Sequence, residues 1–211
     1  MKTGSAEGYY GKILVMDCET TGLAFNSVDP SIYEDTGKYY QSVSWGLVVA
    51  DVQTLKPIDD LYVEIQWDGK SEWAPKAEQV HKLSKQHLDK HGLNDLEALA
   101  TIIEFIKKHW PPDSEFSSDR NVRCAGQNVA TFDIWFMRRL FKKYNIPMFP
   151  TGNRFIDTST IAWTVFDCYT SDQMFEILGL KRTTHHALED AYIELDAIRQ
   201  ARALCRKILG E

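Results

Sequence analysis

Two carboxylates, Asp17 and Glu19, stand at the end of the apolar run Ile13-Leu14-Val15-Met16 in the stretch "ILVMDCETTGL". Side chains alternate along an extended strand, so both acids point to one face and Cys18 to the other. Carboxylates held side by side repel unless a cation sits between them, and hard oxygen ligands favour Mg²⁺ or Mn²⁺. The pattern Asp-x-Glu is weak alone, since it arises about once by chance in a chain of this length and charge content. The Thr20-Thr21-Gly22-Leu23 that follows directly is far more specific.

Two later stretches add chemistry-bearing residues. "QNVATFDIWFMRRL" holds Asn128, Phe132 and Asp133, and "HHALEDA" holds His185, His186 and Asp190. Taken singly, Asp133 reads equally as a helix N-terminal acid favoured by the dipole, and Asp190 as a solvated acid near a helix start. His186 and Asp190 are four apart and share a face on a regular helix. Helical geometry alone therefore leaves open which of the two histidines lies nearer the acids.

The elements that must position these residues follow from the patterning. Lys12 to Asp17 reads as a central strand, apolar on both faces. Residues 42–51 and 58–67 read as two further strands of an antiparallel meander. Asn94 opens a helix with Glu97 three residues on, a capping box. Leu96, Leu99, Ile103, Ile106 and Trp110 recur at helical spacing until Pro111-Pro112 stops it. Val122 to Ala125 reads as a short strand, about 131–144 as a helix and 154–157 as a last short strand. The C-terminal helix starts near His186 and carries Leu188, Ala191, Leu195, Ile198, Ala201, Cys205 and Ile208 on one face. The order predicts a single α/β domain over 1–211, with its core at about 12–209 and helices packed on the sheet.

The bulk numbers narrow the function classes. The chain has 211 residues and a formal net charge of −6, which argues against a protein that coats nucleic acid but not against one that grips a strand end. No apolar run approaches the roughly 18 residues that span a bilayer, and "MKTGSAEGYYGK" has no apolar segment of signal-peptide type. The expectation is a cytoplasmic protein without a membrane partner. Cys18, Cys124, Cys168 and Cys205 lack zinc-site spacing and read as reduced interior thiols.

The three stretches together resemble the motifs of the DEDDh 3′–5′ exonucleases, the ribonuclease H-like group of proofreading subunits and oligoribonucleases. "DCETTGL" is similar to the first motif, Asn128 with Phe132-Asp133 to the second, and His185-x-Ala187-x-x-Asp190 to the third. "AEQVHKLS" and "RFIDTSTIAW" resemble family segments as well, so the resemblance spans about residues 12 to 205. It implies a ribonuclease H-like single domain with a mixed five-stranded sheet flanked by helices. It implies that Asp17, Glu19, Asp133 and Asp190 bind two divalent ions, Mg²⁺ or Mn²⁺, for phosphodiester hydrolysis. His185 is then the general base, since the family spacing selects it over His186. Thr20, Gly22 and Leu23 would meet the terminal nucleotide and Asn128 would bind substrate; Phe132 either stacks on the substrate or simply packs, and His81 reads as structural.

The implied activity is hydrolysis of single-stranded nucleic acid from its 3′ end to nucleoside 5′-monophosphates, with DNA and RNA both open. The alternative is a catalytically weak nucleic-acid or polymerase-binding accessory module of the same fold. A polymerase partner or a homodimer fits the resemblance without being specified by it. Asn128 precedes Asp133 by five residues, a spacing closer to the oligoribonucleases. The segment 24–41 is about a dozen residues longer than compact members need. Its Phe25, Tyr33, Tyr39 and Tyr40 either stack on unpaired bases or pack locally. Arg138, Arg139, Lys142, Lys143, Lys181 and Arg182 either steer phosphates or form solvated faces.

Overall fold

Strand β1 (Lys12–Thr20) is the middle of the sheet and carries the acid pair. The structure is a computed structural model, and the residues it describes are 11–23, 39–111, 121–183 and 185–210. Ile13, Leu14, Val15 and Met16 are wholly buried, as a strand covered on both faces requires. β2 (Ser42–Asp51) and β3 (Pro57–Glu64) follow as an antiparallel meander. Two short strands, β4 (Cys124–Gly126) and β5 (Ile156–Asp157), add on the other side parallel to β1. The order β3-β2-β1-β4-β5 is the expected mixed five-stranded sheet.

The described helices are α1 (Pro75–His81), α2 (Lys85–His91), α3 (Asp95–His109), α4 (Asp133–Lys143), α5 (Thr158–Phe166), α6 (Ser171–Ile177) and α7 (Ala187–Leu209). Alternation along β1 divides the core. Leu14, Met16 and Cys18 pack with Leu99 and Ile102 of α3 and with Ile134 and Met137 of α4. Ile13 and Val15 pack with Ala191, Leu195 and Ile198 of α7.

Helix α3 starts as its sequence requires. The Asn94 side chain accepts from the Leu96 and Glu97 N–H groups, and Glu97 accepts from the Asn94 N–H. The patterning did not reveal α1, α2, α5 and α6, which have 7, 7, 9 and 7 residues. Helices this short fall below the window in which apolar periodicity is readable. Local chemistry starts three of them: Ser84 caps α2, Asp157 caps α5, and Thr170 with Gln173 forms a capping box on α6. Other expectations fail at edges, and the first strand runs on past Asp17 to Thr20, so the acid pair lies within it. The third strand ends at Glu64 rather than residue 67. The apolar face of α7 is buried only to Ala201. Cys205 is exposed, unlike the other three cysteines, and Ile208 is 83% exposed. No described helix is long and apolar enough to cross a membrane.

One contact sets the depth of α7. Gly46 of β2 lies opposite Asp17 in the β1–β2 ladder. A Cβ on Gly46 would fall 2.2 Å from the carbonyl of Ala187 and from the Leu188 nitrogen. The first turn of α7 therefore rests on bare backbone, and that brings Asp190 down over the acid pair. Gly46→Ala is expected to destabilise the fold by about 3 kcal/mol, because rigid backbone must move. The urea midpoint measures this, and an unchanged midpoint would mean that the contact is not tight.

Candidate active site

The carboxyl end of β1 gathers acids from three elements. Asp17 and Glu19 share the face of Ile13 and Val15, turned toward α7, while Cys18 joins the opposite cluster. Asp133 opens α4 and is almost fully buried. Asp190, in the first turn of α7, is equally buried. Glu19, His185 and Asp190 each offer a ligand atom, all within 4.8 Å of one another. His185 Nδ1 lies 3.9 Å from Asp190 Oδ2.

His186 has a different position. Helix α7 begins at Ala187, so His186 is its N-cap, and its Nδ1 accepts from the Glu189 N–H at 3.5 Å. Its ring stacks on Tyr62 of β3 at 4.2 Å between centroids. His186 thus joins the helix through its carbonyl, which accepts from the Asp190 N–H at 2.9 Å, while its ring turns to Tyr62 and His185 faces the acids instead.

Sequence reasoning missed two members. Glu194 lies one helical turn beyond Asp190, is 1% exposed, and its Oε1 accepts from the Gln127 N–H at 3.0 Å. Spacing of four from Asp190 was the available signal. Arg182 is not part of a solvated basic face. Its Nε donates to Asp190 Oδ1 at 2.7 Å and its second terminal nitrogen to Oδ2 at 2.6 Å, a bidentate pair.

The electrostatics follow from this crowding. Burial pushes Asp17 far above the usual carboxylate range, and the charges of Asp133, Glu194, Glu19 and Asp190 add to it. Glu19 is raised to about 7 by burial and then by Asp190, with Arg182 opposing. Asp133 is raised to about 7, mainly by burial, with the Cys18 thiol offsetting part of it. Glu194 is raised by burial and then by Asp133. His185 is lowered by burial and by Arg182. Asp133 Oδ1 and Glu194 Oε2 are buried with no hydrogen-bond partner among the described residues. Mutually repelling carboxylates with spare buried oxygens fit hard divalent cations.

The expected substrate contacts are placed around this end. Thr20 is buried and its hydroxyl donates to the Gly22 carbonyl at 2.8 Å, tightening the turn. Gly22 is approached closely by the Tyr40 ring, 2.2 Å from where a Cβ would stand, so a protein neighbour already requires the glycine. Leu23 is 54% exposed beyond it. Asn128 is exposed with a positive φ of 53°, and its carbonyl accepts from the Thr131 and Phe132 N–H groups. Phe132 is half-buried against Phe136 at 5.0 Å.

Of the four aromatics in the long segment, Phe25 and Tyr33 lie outside the described residues. Tyr39 and Tyr40 pack locally: the Arg139 guanidinium sits 3.7 Å over the Tyr39 ring, and Tyr40 joins the main core. Lys143 pairs with Asp95. Arg139 and Lys143 are therefore engaged within the fold. His81 is buried, and its Nδ1 accepts from the Leu83 N–H at 3.0 Å.

The exonuclease family model RNase_T matches residues 14–197. Among solved structures, E. coli exonuclease I in complex with a dT13 oligonucleotide is similar, with a TM-score of 0.71 and 14% identity over 95% of this chain and 43% of that one. Exonuclease I from Methylocaldum szegediense has a TM-score of 0.67 and 17% identity over 92% of this chain and 40% of that one. A zinc-bound E. coli exonuclease I complex with single-stranded DNA has a TM-score of 0.69 and 14% identity, covering 92% and 40%. This chain thus spans about two-fifths of the length of those proteins. No significant match was found among curated proteins.

Proposed function

Because the chain belongs to the exonuclease family, in its DEDDh, ribonuclease H-like form, we propose that it hydrolyses single-stranded nucleic acid from the 3′ end and releases nucleoside 5′-monophosphates. The observation that carries this reading is the meeting of Glu19, His185 and Asp190 within 4.8 Å, beside Asp17 and Asp133. The oligonucleotides held by similar exonucleases favour single-stranded DNA as the first substrate, with RNA as the competing one.

Asp17, Glu19, Asp133 and Asp190 would hold two Mg²⁺ or Mn²⁺ ions. Bound there, such ions supply Lewis-acid activation of water and neutralisation of charge on the phosphate and the leaving 3′ oxygen. The remaining work falls to the chain. His185 turns Nδ1 toward Asp190, which leaves Nε2 to take the proton from the attacking water. The lowered pKa of His185 keeps it neutral, the form a base requires, at pH 7. Arg182 holds Asp190 in place through two hydrogen bonds. Leu23, exposed beyond the Thr20–Gly22 turn, would press on the terminal base.

His185→Ala is expected to lower turnover by about 10²–10⁴-fold, the usual contribution of a general base. His186→Ala is expected to keep activity and lose about 1 kcal/mol of stability through its cap. Single-turnover rates and urea melts of the two variants check this, and the opposite ranking of rates would transfer the base to His186. The function itself is tested with 5′-labelled single-stranded DNA and RNA in Mg²⁺, Mn²⁺ or EDTA. A ladder shortening from the 3′ end, abolished by EDTA, supports the reading, and the faster ladder identifies the substrate. Intact substrate in every lane would favour the accessory-module alternative.

A further inference from the structure

We propose that Glu194 is a fifth carboxylate of the metal centre, a positioning residue whose negative charge balances Arg182 so that the site as a whole matches two divalent ions. The inference rests on the metal-centre reading above and adds a residue to it.

The geometry places Glu194 on the floor of the site. It projects from the turn of α7 after Asp190. A Cβ built on Gly126 at the end of β4 would lie 3.1 Å from Glu194 Oε2 and 2.5 Å from the carbonyl of Met16. Oε2 is therefore lodged at the end of β4, on the side of Gly126 that faces Met16, the β1 residue that precedes Asp17. One oxygen is satisfied by the Gln127 N–H. The other is buried without a partner among the described residues. A packing role alone leaves that second oxygen unexplained, since burying an unpaired carboxylate oxygen is costly.

Charge counting supplies the reason. Asp17, Glu19, Asp133 and Asp190 carry four negative charges, enough for two divalent ions. Arg182, half-buried and forked onto Asp190, takes one of them back. Two divalent ions would then leave a net positive charge in a site of low dielectric, where uncompensated charge is expensive. Glu194 restores the balance. The electrostatic neighbours agree: Glu194 interacts with Asp133, Arg182 and Asp190, and Asp17 feels Glu194 more than it feels Glu19.

The test is Mn²⁺ binding to the full chain, measured by calorimetry without nucleic acid. Glu194→Gln keeps an oxygen acceptor for Gln127 and removes only the charge. It is expected to weaken Mn²⁺ about tenfold, the lower end of what outer-shell partners of metal sites contribute. Glu194→Asp, which keeps the charge, is expected to bind within about threefold of wild type. Glu194→Gln combined with Arg182→Gln is expected to bind Mn²⁺ more tightly than Glu194→Gln alone, because the charge balance returns, though not to the wild-type level, because Asp190 loses the fork that holds it. Should Glu194→Gln fail to fold, Glu194→Met fills the same volume without charge and is read the same way. Unchanged Mn²⁺ affinity in the neutral variants would overturn the role of Glu194 while leaving the metal centre intact. Absence of Mn²⁺ binding in the wild type would overturn the metal centre itself.

Discussion

Replacing Asp17 by Asn is expected to lower hydrolysis on the order of 10³-fold, about 4 kcal/mol of transition-state stabilisation, while raising the melting temperature in EDTA. Both effects follow from one position. Asp17 is the acid on which the others converge, with Asp133, Glu194, Glu19 and Asp190 all destabilising its charge in addition to its burial. Asn keeps the volume and removes the charge. In the metal-free protein that relieves repulsion among buried carboxylates, so the folded state gains. In the metal-loaded site proposed above, the same change would remove a ligand from ions that neutralise the phosphate. Stability and activity therefore move in opposite directions, which a merely disruptive substitution would not produce. Differential scanning in EDTA and single-turnover hydrolysis in Mg²⁺ are the two measurements. Loss of stability with activity retained would make Asp17 a structural acid.

How much of this was legible in the sequence depends on the range of each interaction. β1 was readable because four consecutive apolar residues need both faces covered, and all four are wholly buried. Helix α3 was readable because its cap is local, written in Asn94 and Glu97. The four acids of the proposed metal site were readable only as a set of motifs. Asp133 and Asp190 are each ordinary helix-start acids by type, and tertiary folding alone brings them to β1. Arg182 was misread for the same reason. Its pairing with Asp190 crosses the entry to α7 and has no periodic signature, so Lys181-Arg182 looks like any solvated pair. Glu194 was visible at helical spacing from Asp190, but it stands beside the apolar stripe of Ala191, Leu195 and Ile198. A charge at such a place draws notice only once its burial is known. The ambiguity between His185 and His186 came from assuming that His186 was helical. Starting α7 one residue later makes it a cap and turns its ring to Tyr62.

The metal-free protein is expected to lose stability as pH rises from about 4 to 7, and Mn²⁺ is expected to reverse that trend. Unfolded Asp and Glu titrate near 3.9 and 4.3. In the folded protein Glu19 and Asp133 are raised to about 7, and Asp17 and Glu194 are raised as well. Between these limits the native state binds more protons than the unfolded chain, so unfolding becomes easier as pH increases. The stabilising contribution is fully present below about pH 4 and lost as pH passes through the folded values. His81 and His185 work the other way, because burial lowers both and their neutral forms favour the native state as pH rises. Asp51, Asp59 and Asp68 are lowered and also oppose the trend, but only near pH 4, where they finish ionising; above that, two imidazoles oppose four raised carboxylates, so the acids set the slope. A divalent ion binds the ionised carboxylates of the native state only, and its stabilising effect must grow over the same interval. Melting temperatures from pH 4.5 to 7.5, in EDTA and in Mn²⁺, should diverge steadily with pH. The gap should shrink in Asp17→Asn, which removes both the repulsion and a ligand. Parallel curves in the two conditions would mean that these acids titrate independently of any ion.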